Sequence, residues 1–363
     1  MAEVSRSILT LNSGSSSLKA SLFRADGTRR DWHFKQTDRS HPQAQSEALD
    51  TLFADLDGAI PDAIGHRFVH GGEVPDAARV VDETELTRLR GLVPLAPLHM
   101  PGNLHGVEGC RERFEVPQIA CFDTAFHHTM PAAARRLPIP QSEGMRRYGF
   151  HGLNYAYIAS RLPALLGDAA RGRIVVAHLG SGASLCLLDN LQSVDTTMGY
   201  TPASGIVMGT RSGDLDPGVM LELGSRHDHA TLTELIYYRS GLLALSDGES
   251  GDMSALMASQ NEAARFAVDY FCRQVQAAIG AMAAKAGGID ALVFSGGIGE
   301  HAPKIRAWIC EPLRFLGFSL DAEANQSGRV QLQVEGFKPV LRIPANEEEV
   351  MRELVESALD LAY

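Results

Sequence analysis

Residues 8–23 read ILTLNSGSSSLKASLF, a polar stretch between two apolar ones. Two turn residues are enough to reverse a chain. This loop instead carries Asn12, Ser13, Gly14, Ser15, Ser16, Ser17 and Lys19. Backbone N–H groups, hydroxyls and one ammonium together form the donor set that binds phosphoryl oxygens. It is not a Walker A loop: the G-x-x-x-x-G-K-[ST] pattern is absent and a strand, not a helix, follows Lys19. A solvated hairpin tip is the plainer alternative, and three consecutive serines beside a lysine favour the phosphate reading. In GHRFVHGGE (65–73), Arg67 sits inside an apolar strand, where a guanidinium needs an anionic partner to offset its desolvation. A substrate carboxylate fits its fork of donors, and an internal Asp or Glu would serve as well.

Other segments add reactive groups. LAPLHMPGN (95–103) is proline-set and extended, so Leu98 and His99 either line a small pocket or connect to the next helix. CFDTAFHHTMP (121–131) puts Asp123 just after a strand, where it is an N-cap candidate. RRYGFHGLNY (146–155) and MGTRSGDLDPG (208–218) place His151 and Arg211 in glycine-flanked loops that a ligand can approach closely. Two arginines, a histidine and an aspartate beside phosphate-type loops point to phosphoryl transfer. In VLRIPANEEEVMREL (340–354), Asn346 and Glu349 fit a capping box, and a carboxylate just past a strand also suits magnesium. His66 and His70 lie four apart in a segment that reads as strand, which argues against a zinc pair.

The elements that must position these groups alternate between strands and longer amphipathic stretches, as in an α/β chain. Strands are expected over 8–11, 18–23, 63–69, 118–122, 173–178, 184–188, 291–294 and 338–343. Helices are expected over 43–55, 83–91, 101–114, 155–166, 232–238, 262–286, 304–316 and 347–361. ILTLNSGSSSLKASLF recurs loosely as IVVAHLGSGASLCLLD (174–189), strand, Gly/Ser turn and strand in both, which suggests duplicated halves. A third glycine loop, LVFSGGIGEHAPKI (292–305), also follows a strand.

Composition narrows the class. At 363 residues the chain is long for a single core. A net charge of −11 without a Lys/Arg block argues against a nucleic-acid partner. Five scattered cysteines, with no C-x-x-C, argue against a disulfide framework and fit the reducing cytoplasm. The N-terminal apolar run is too short for a signal peptide and no segment has membrane-spanning length, so a soluble cytoplasmic protein is expected.

Taken together, NSGSSSLK, HRFVHGG, LAPLH, FDTAFH, RRYGFHG, HLGSGAS, DTTMGYTP, MGTRSGDLDPG, SGGIGEH and ANEE resemble the acetate kinase family of short-chain acyl kinases, in family order from Asn12 to Glu347. The resemblance implies an α/β fold of two duplicated actin/hexokinase-like, ribonuclease H-like domains with a nucleotide cleft between them, in a homodimer. The first domain would be 1–127, joined by a returning helix at about 348–363, and the second 128–347. The implied reaction is reversible, magnesium-dependent transfer (manganese being a substitute) of the ATP γ-phosphoryl group to acetate, giving acetyl phosphate and ADP. Propionate or another short-chain acid is the alternative substrate.

By the same resemblance, Asn12, Ser15, Ser17 and Lys19 surround the transferring phosphoryl group, and Asn12 and Glu347 hold the metal. Arg67, Asp123, His151 and Arg211 form the catalytic set, with Asp123 positioning the metal or an arginine. Val69, Leu98, Phe150 and Pro202 make the pocket for the methyl group of the acid. His178, Gly180, Ser181, Gly182, Asp252, Met253, Gly296, Gly297, Gly299 and Glu300 hold the nucleotide. The chain departs from the family pattern at Met100, Ser181 and Ser204, and at Ser254, where an arginine contacting the nucleotide is usual. Two rival readings remain at this level. GIGEHA with Asp321 about 20 residues on fits a dinucleotide fingerprint. Ser181 and Ser254 suggest a nucleotide sensor without turnover.

Overall fold

The computed structural model describes residues 6–14, 17–35 and 42–362, so the expectation for Ser15 lies outside the described residues. The chain divides into two compact units. One comprises Met1–His128, Phe150–Tyr157 and Asn346–Tyr363, the other Thr129–Gly149 and Ile158–Ala345. Residues 150–157, expected with the second domain, thus group with the first. The cause is local packing: Leu153, Ala156 and Tyr157 join a core with Ile8, Ala63 and Ile119, and His127 Nε2 meets the Phe150 carbonyl at 2.9 Å.

In the first unit, β1 (Ile8–Ser13), β2 (Ser17–Phe23) and β3 (Arg29–Lys35) form an antiparallel meander. β4 (Ala63–Phe68) runs parallel to β1, β5 (Ala78–Val80) forms the far edge, and β6 (Gln118–Phe122) lies between them, parallel to β4. Side chains alternate across a strand. Leu9 and Leu11 therefore meet Leu49 and Leu52 of helix Pro42–Asp55 on one face, while Ile8 meets helix Glu347–Ala362 on the other. That last helix carries Val350, Met351, Val355 and Leu359 on one stripe, and it approaches so closely that a Cβ on Gly65 would lie 2.7 Å from Val355 Cγ2.

In the second unit, β7 (Arg173–Leu179), β8 (Ala183–Asp189) and β9 (Gln192–Thr196) form another antiparallel meander. β10 (Ala291–Ser295) pairs parallel with β7, and β11 (Val340–Arg342) parallel with β10. The order β11-β10-β7-β8-β9 repeats β6-β4-β1-β2-β3 of the first sheet. The two loosely similar segments are the opening hairpins of these repeats, so the duplicated α/β fold is present. Helix Glu262–Ala286 has the expected bounds; it buries Ala264, Val268, Phe271, Val275 and Ile279 and stops at Gly287, which takes the left-handed conformation that favours glycine.

β4 also buries a histidine. His66 is 2 % exposed, and its Nε2 lies 2.6 Å from Gln118 Oε1 on β6. Burial pulls its pKa down to about 4; Gln118 opposes that pull and Arg111 adds to it. The folded state therefore keeps His66 neutral, while the unfolded chain takes up a proton near the ordinary value of 6.5. Stability from this group is complete above pH 6.5 and is lost as the pH falls from there to about 4, by about 3 kcal/mol in all. Urea midpoints should fall across that window, and less steeply in His66→Gln. Parallel acid limbs in the two proteins would dismiss the assignment.

Candidate active site

The first unit gathers its candidate groups at the ends of β1, β4 and β6. Arg67 on β4 directs Nε and Nη2 to Asp123 Oδ2 at 3.0 and 2.6 Å, and Nη1 to Asn12 Oδ1 at 2.9 Å. Asn12 on β1 donates through Nδ2 to Glu347 Oε2 at 2.6 Å and to Glu348 Oε1 at 3.0 Å. Arg67 Nη1 also lies 3.6 Å from Glu347 Oε2. The fork of Arg67 is thus engaged by an internal aspartate, and among the described residues each Nη nitrogen makes one hydrogen bond of the two it can donate. Asp123 Oδ2 accepts the Arg67 Nε and Nη2 bonds.

Asp123 is fully buried, and Glu347 and Glu348 are 8 % and 7 % exposed. Burial pushes the Asp123 carboxyl up, Arg67 pulls it back and Glu347 adds to the rise. Burial acts to lower the pKa of Arg67, but Asp123, Glu347 and Glu348 outweigh it and hold the guanidinium firmly charged. Three buried acids face one arginine, an excess of negative charge that a divalent cation would offset. Among the described residues, no three His, Cys, Asp or Glu side chains form a metal cage. Magnesium takes one or two protein carboxylates and completes its shell with water and substrate phosphates. Glu347 and Glu348 fit it. Asn12 Oδ1, the atom expected on the metal, accepts from Arg67.

The loop after β1 is closed by Gly14 N–H donating to the Ser17 carbonyl at 2.9 Å. Lys19 is exposed and lies across from Asn12 in the β1–β2 register. Asn103 ties neighbouring loop ends together, donating from Nδ2 to the Ser13 carbonyl (3.0 Å) and accepting Val69 N–H at Oδ1 (3.2 Å). Val69 and Phe150 are buried, Leu98 is half-buried, and the ring of His70 meets Phe150 edge-on at 5.6 Å. His151 is buried at φ +58°, a left-handed conformation that non-glycine residues seldom adopt. Gln118 Oε1 meets His66 Nε2, and Gly72 N–H donates to Nδ1 of His70.

The second unit holds the remaining candidates. Arg211 is 6 % exposed and donates from Nη1 to the Pro202 carbonyl at 2.7 Å, so these two are brought together. A cavity of about 530 Å³ is lined by Gly180, Ser181, Asp252, Met253 and Gly297, five of the ten residues expected to hold a nucleotide. His178 and Gly182 flank it at the β7–β8 turn, where Gly180 N–H donates to the Gly182 carbonyl at 3.1 Å. Gly296 is needed for its backbone: φ is +75° and a Cβ would come 2.7 Å from the Leu179 carbonyl oxygen. Gly299 is buried against Phe294. Glu300 accepts Ala345 N–H at Oε1 (2.9 Å), and its Oε2 lies 3.8 Å from Nε2 of the cavity-lining His301.

Sequence reasoning missed Met257, Ile298, His301, Lys304 and Gln326, which also line the cavity. Several of them lie on short helices, Met253–Ala258, Gly296–His301 and Ala322–Ser327, whose one sequence signal is a capping aspartate at 252 and 321. Asp321, the acid of the dinucleotide fingerprint, is spent as such a cap, accepting Ala324 N–H at 2.7 Å. Asn346 and Glu349 do not bond one another as a capping box; Arg29 donates to the first and Arg352 to the second.

A family model described as the Acetokinase family matches residues 32–353. The chain belongs to the acetate kinase family. It is a phosphotransferase whose acceptor is a carboxyl group. An acetate kinase of Rhodopseudomonas palustris is 42 % identical over 358 residues, 88 % of this chain and 89 % of that protein. One from Methylocella silvestris is 39 % identical over 98 % of this chain and 99 % of its own length. Among solved structures, a propionate kinase from Francisella tularensis superposes with a TM-score of 0.85 at 31 % identity, covering 96 % of this chain and 98 % of its own. Porphyromonas gingivalis acetate kinase gives 0.82 at 32 %, covering 98 % and 100 %. Membership of this family sets aside the dinucleotide reading.

Proposed function

We propose that the protein catalyses reversible phosphoryl transfer between ATP and acetate, giving acetyl phosphate and ADP. The observation that supports this most directly is the buried Asn12–Arg67–Asp123–Glu347 network, one guanidinium held among acids in a member of a carboxylate-kinase family. An acetate oxygen is already anionic, so no general base is needed. It attacks the γ-phosphorus in line while the bond to the β-phosphate oxygen breaks and ADP leaves. Catalysis then consists of aligning two anions and offsetting their repulsion.

Arg67, fixed by Asp123, and Arg211, fixed by Pro202, would contact the equatorial oxygens and the acid carboxylate. His151 would donate to the same oxygens, and Ser17 and Lys19 would add donors. Val69, Leu98, Phe150 and Pro202 would enclose the methyl group. Glu347 and Glu348 would hold magnesium, which when bound supplies positive charge to the phosphate oxygens. Propionate is the second reading, supported by the propionate kinase among the similar structures. The test is hydroxamate trapping of acyl phosphate across acetate, propionate and butyrate with ATP, GTP and pyrophosphate. Nucleotide binding without hydroxamate from any acid would favour the sensor.

A homodimer is part of this reading, and two helices support it. Pro217–Arg226 and His229–Tyr238 have no buried residue in the single chain, although they carry Val219, Leu221, Leu223, Leu235 and Ile236, and Leu221 is 78 % exposed. Apolar faces of this kind mark association surfaces. Light scattering should give twice the chain mass, and Leu221→Glu should shift it toward one; a monomeric parent would end the proposal. Among the described residues no helix is long and apolar enough to cross a membrane, and we place the protein in the cytoplasm.

A further inference from the structure

We infer that Arg306 is a positioning residue for the phosphoryl donor: from behind the wall of the second unit's cavity it fixes the two short helices that border the nucleotide. The inference rests on the kinase reading for the identity of the ligand and adds to it what holds the site in shape. Arg306 lies in helix Pro303–Cys310 and is 1 % exposed, so its side chain stands behind the cavity wall rather than on it. Helix Gly296–His301 supplies Gly297, Ile298 and His301 to the cavity, and helix Ala322–Ser327 supplies Gln326. Each has six residues, too few to persist without tertiary support.

Arg306 gives that support to both. The last carbonyls of a helix lack partners within it. Arg306 Nη1 donates to two of them in the first helix, Gly299 and Glu300, at 2.8 and 2.9 Å. On the second helix its Nε donates to Asn325 Oδ1 and its Nη2 to the Asn325 carbonyl, both at 2.8 Å. Asn325 completes the ring by donating from Nδ2 to the carbonyl of Pro303, a cavity residue at the start of the helix that carries Arg306, again at 2.8 Å. Both short helices border one cavity, so the span of this guanidinium sets their separation and with it the width open to a nucleotide.

Packing alone would not select an arginine here. All four acceptors are neutral carbonyl oxygens, with no carboxylate among them to offset the desolvation of a buried charge. Burial pulls the pKa of Arg306 down to about 10; Arg342 adds to the fall and Cys310 opposes it. The group still carries its charge at neutral pH. A methionine would fill a similar space without a charge to bury. What the guanidinium adds is a rigid planar fork that holds several acceptors in fixed directions at once.

The test uses Arg306→Lys, which keeps the charge and lacks the fork, and Asn325→Ala, which keeps Arg306 and removes its side-chain partner. In each, ADP affinity measured by calorimetry should fall about tenfold, as expected for losing one charge-assisted hydrogen bond. The donor KM should rise by the same factor, while kcat at saturating donor and the KM of the acid stay at parental values. The double variant should bind ADP no more weakly than the weaker single, because both substitutions act on one ring of bonds. Val275→Ala is the control for destabilisation: it opens a cavity within the fully buried face of helix Glu262–Ala286, lowers the melting temperature and should leave ADP affinity alone. Parental ADP affinity in Arg306→Lys and Asn325→Ala, a loss confined to kcat, or an equal loss of affinity in Val275→Ala would overturn the inference and leave the kinase intact. A parent that binds ADP but yields no hydroxamate would overturn the kinase reading, and one that binds no ADP would overturn both.

Discussion

Arg67→Ala should lower kcat by on the order of 10³ or more, the range for arginines that stabilise phosphoryl-transfer charge. Its side chain is 12 % exposed and that of Asp123 is 0 %, so the pair works where water screens little. Removing the guanidinium also strips Asp123, Glu347 and Glu348 of their counter-charge, and breaking such a buried pair costs roughly 3 to 5 kcal/mol. Two readouts separate these effects: kcat with KM for each substrate, and the thermal midpoint. Arg67→Lys keeps a charge but cannot span Asp123 and Asn12 with fixed geometry, so it should recover stability more than turnover. Arg211→Ala should match the loss in kcat. A folded Arg67→Ala enzyme with near-normal kcat would remove this residue from the mechanism.

Much of this site was legible as residue types and little of it as partners. Arg67 in an apolar strand signalled a buried anion, but the choice between substrate and Asp123 lies in the register of β4 with β6, which pairs Arg67 with Cys121 two residues before that aspartate. The orientation of the Asn12 amide was likewise invisible. It follows from a guanidinium on one side and two carboxylates on the other, groups more than fifty and three hundred residues away in the chain. The fold was clearer: 83–91, 118–122 and 262–286 have the expected bounds. The strands that escaped notice are sheet edges. β3 reads RRDWHFK, with Trp32 as its buried side chain and Arg29, Arg30, Asp31 and His33 in solvent, so its alternation is masked by charge. β5 has three residues, and β9 is the other outer strand of its sheet.

Gly152→Ala should be as damaging to catalysis as many substitutions of a reacting group, although residue 152 offers no chemistry. A Cβ there would fall inside the van der Waals envelope of the Asp123 carbonyl oxygen, 2.8 Å from the carbonyl carbon and 2.9 Å from Phe126 Cβ. These are backbone and β-carbon atoms, with no flexible end to swing aside. Either residues 150–157 or the strand end carrying Asp123 must move. The first choice displaces His151, whose left-handed backbone is held by the Tyr155 N–H to His151 carbonyl bond at 3.1 Å. The second displaces the anchor of Arg67. Misplacing a reacting group by about 1 Å costs on the order of 10² in rate, and forced overpacking adds roughly 1 to 3 kcal/mol of destabilisation. Gly280→Ala is the control: it sits within helix Glu262–Ala286 with nothing within 4 Å of a new Cβ, so it should stabilise by about 1 kcal/mol and leave kcat alone. The Gly152→Ala enzyme should therefore show both a depressed kcat and a lower melting temperature at unchanged donor KM. Parental turnover in that variant would mean that the close approach of residues 123 and 152 does not set the position of either catalytic side chain.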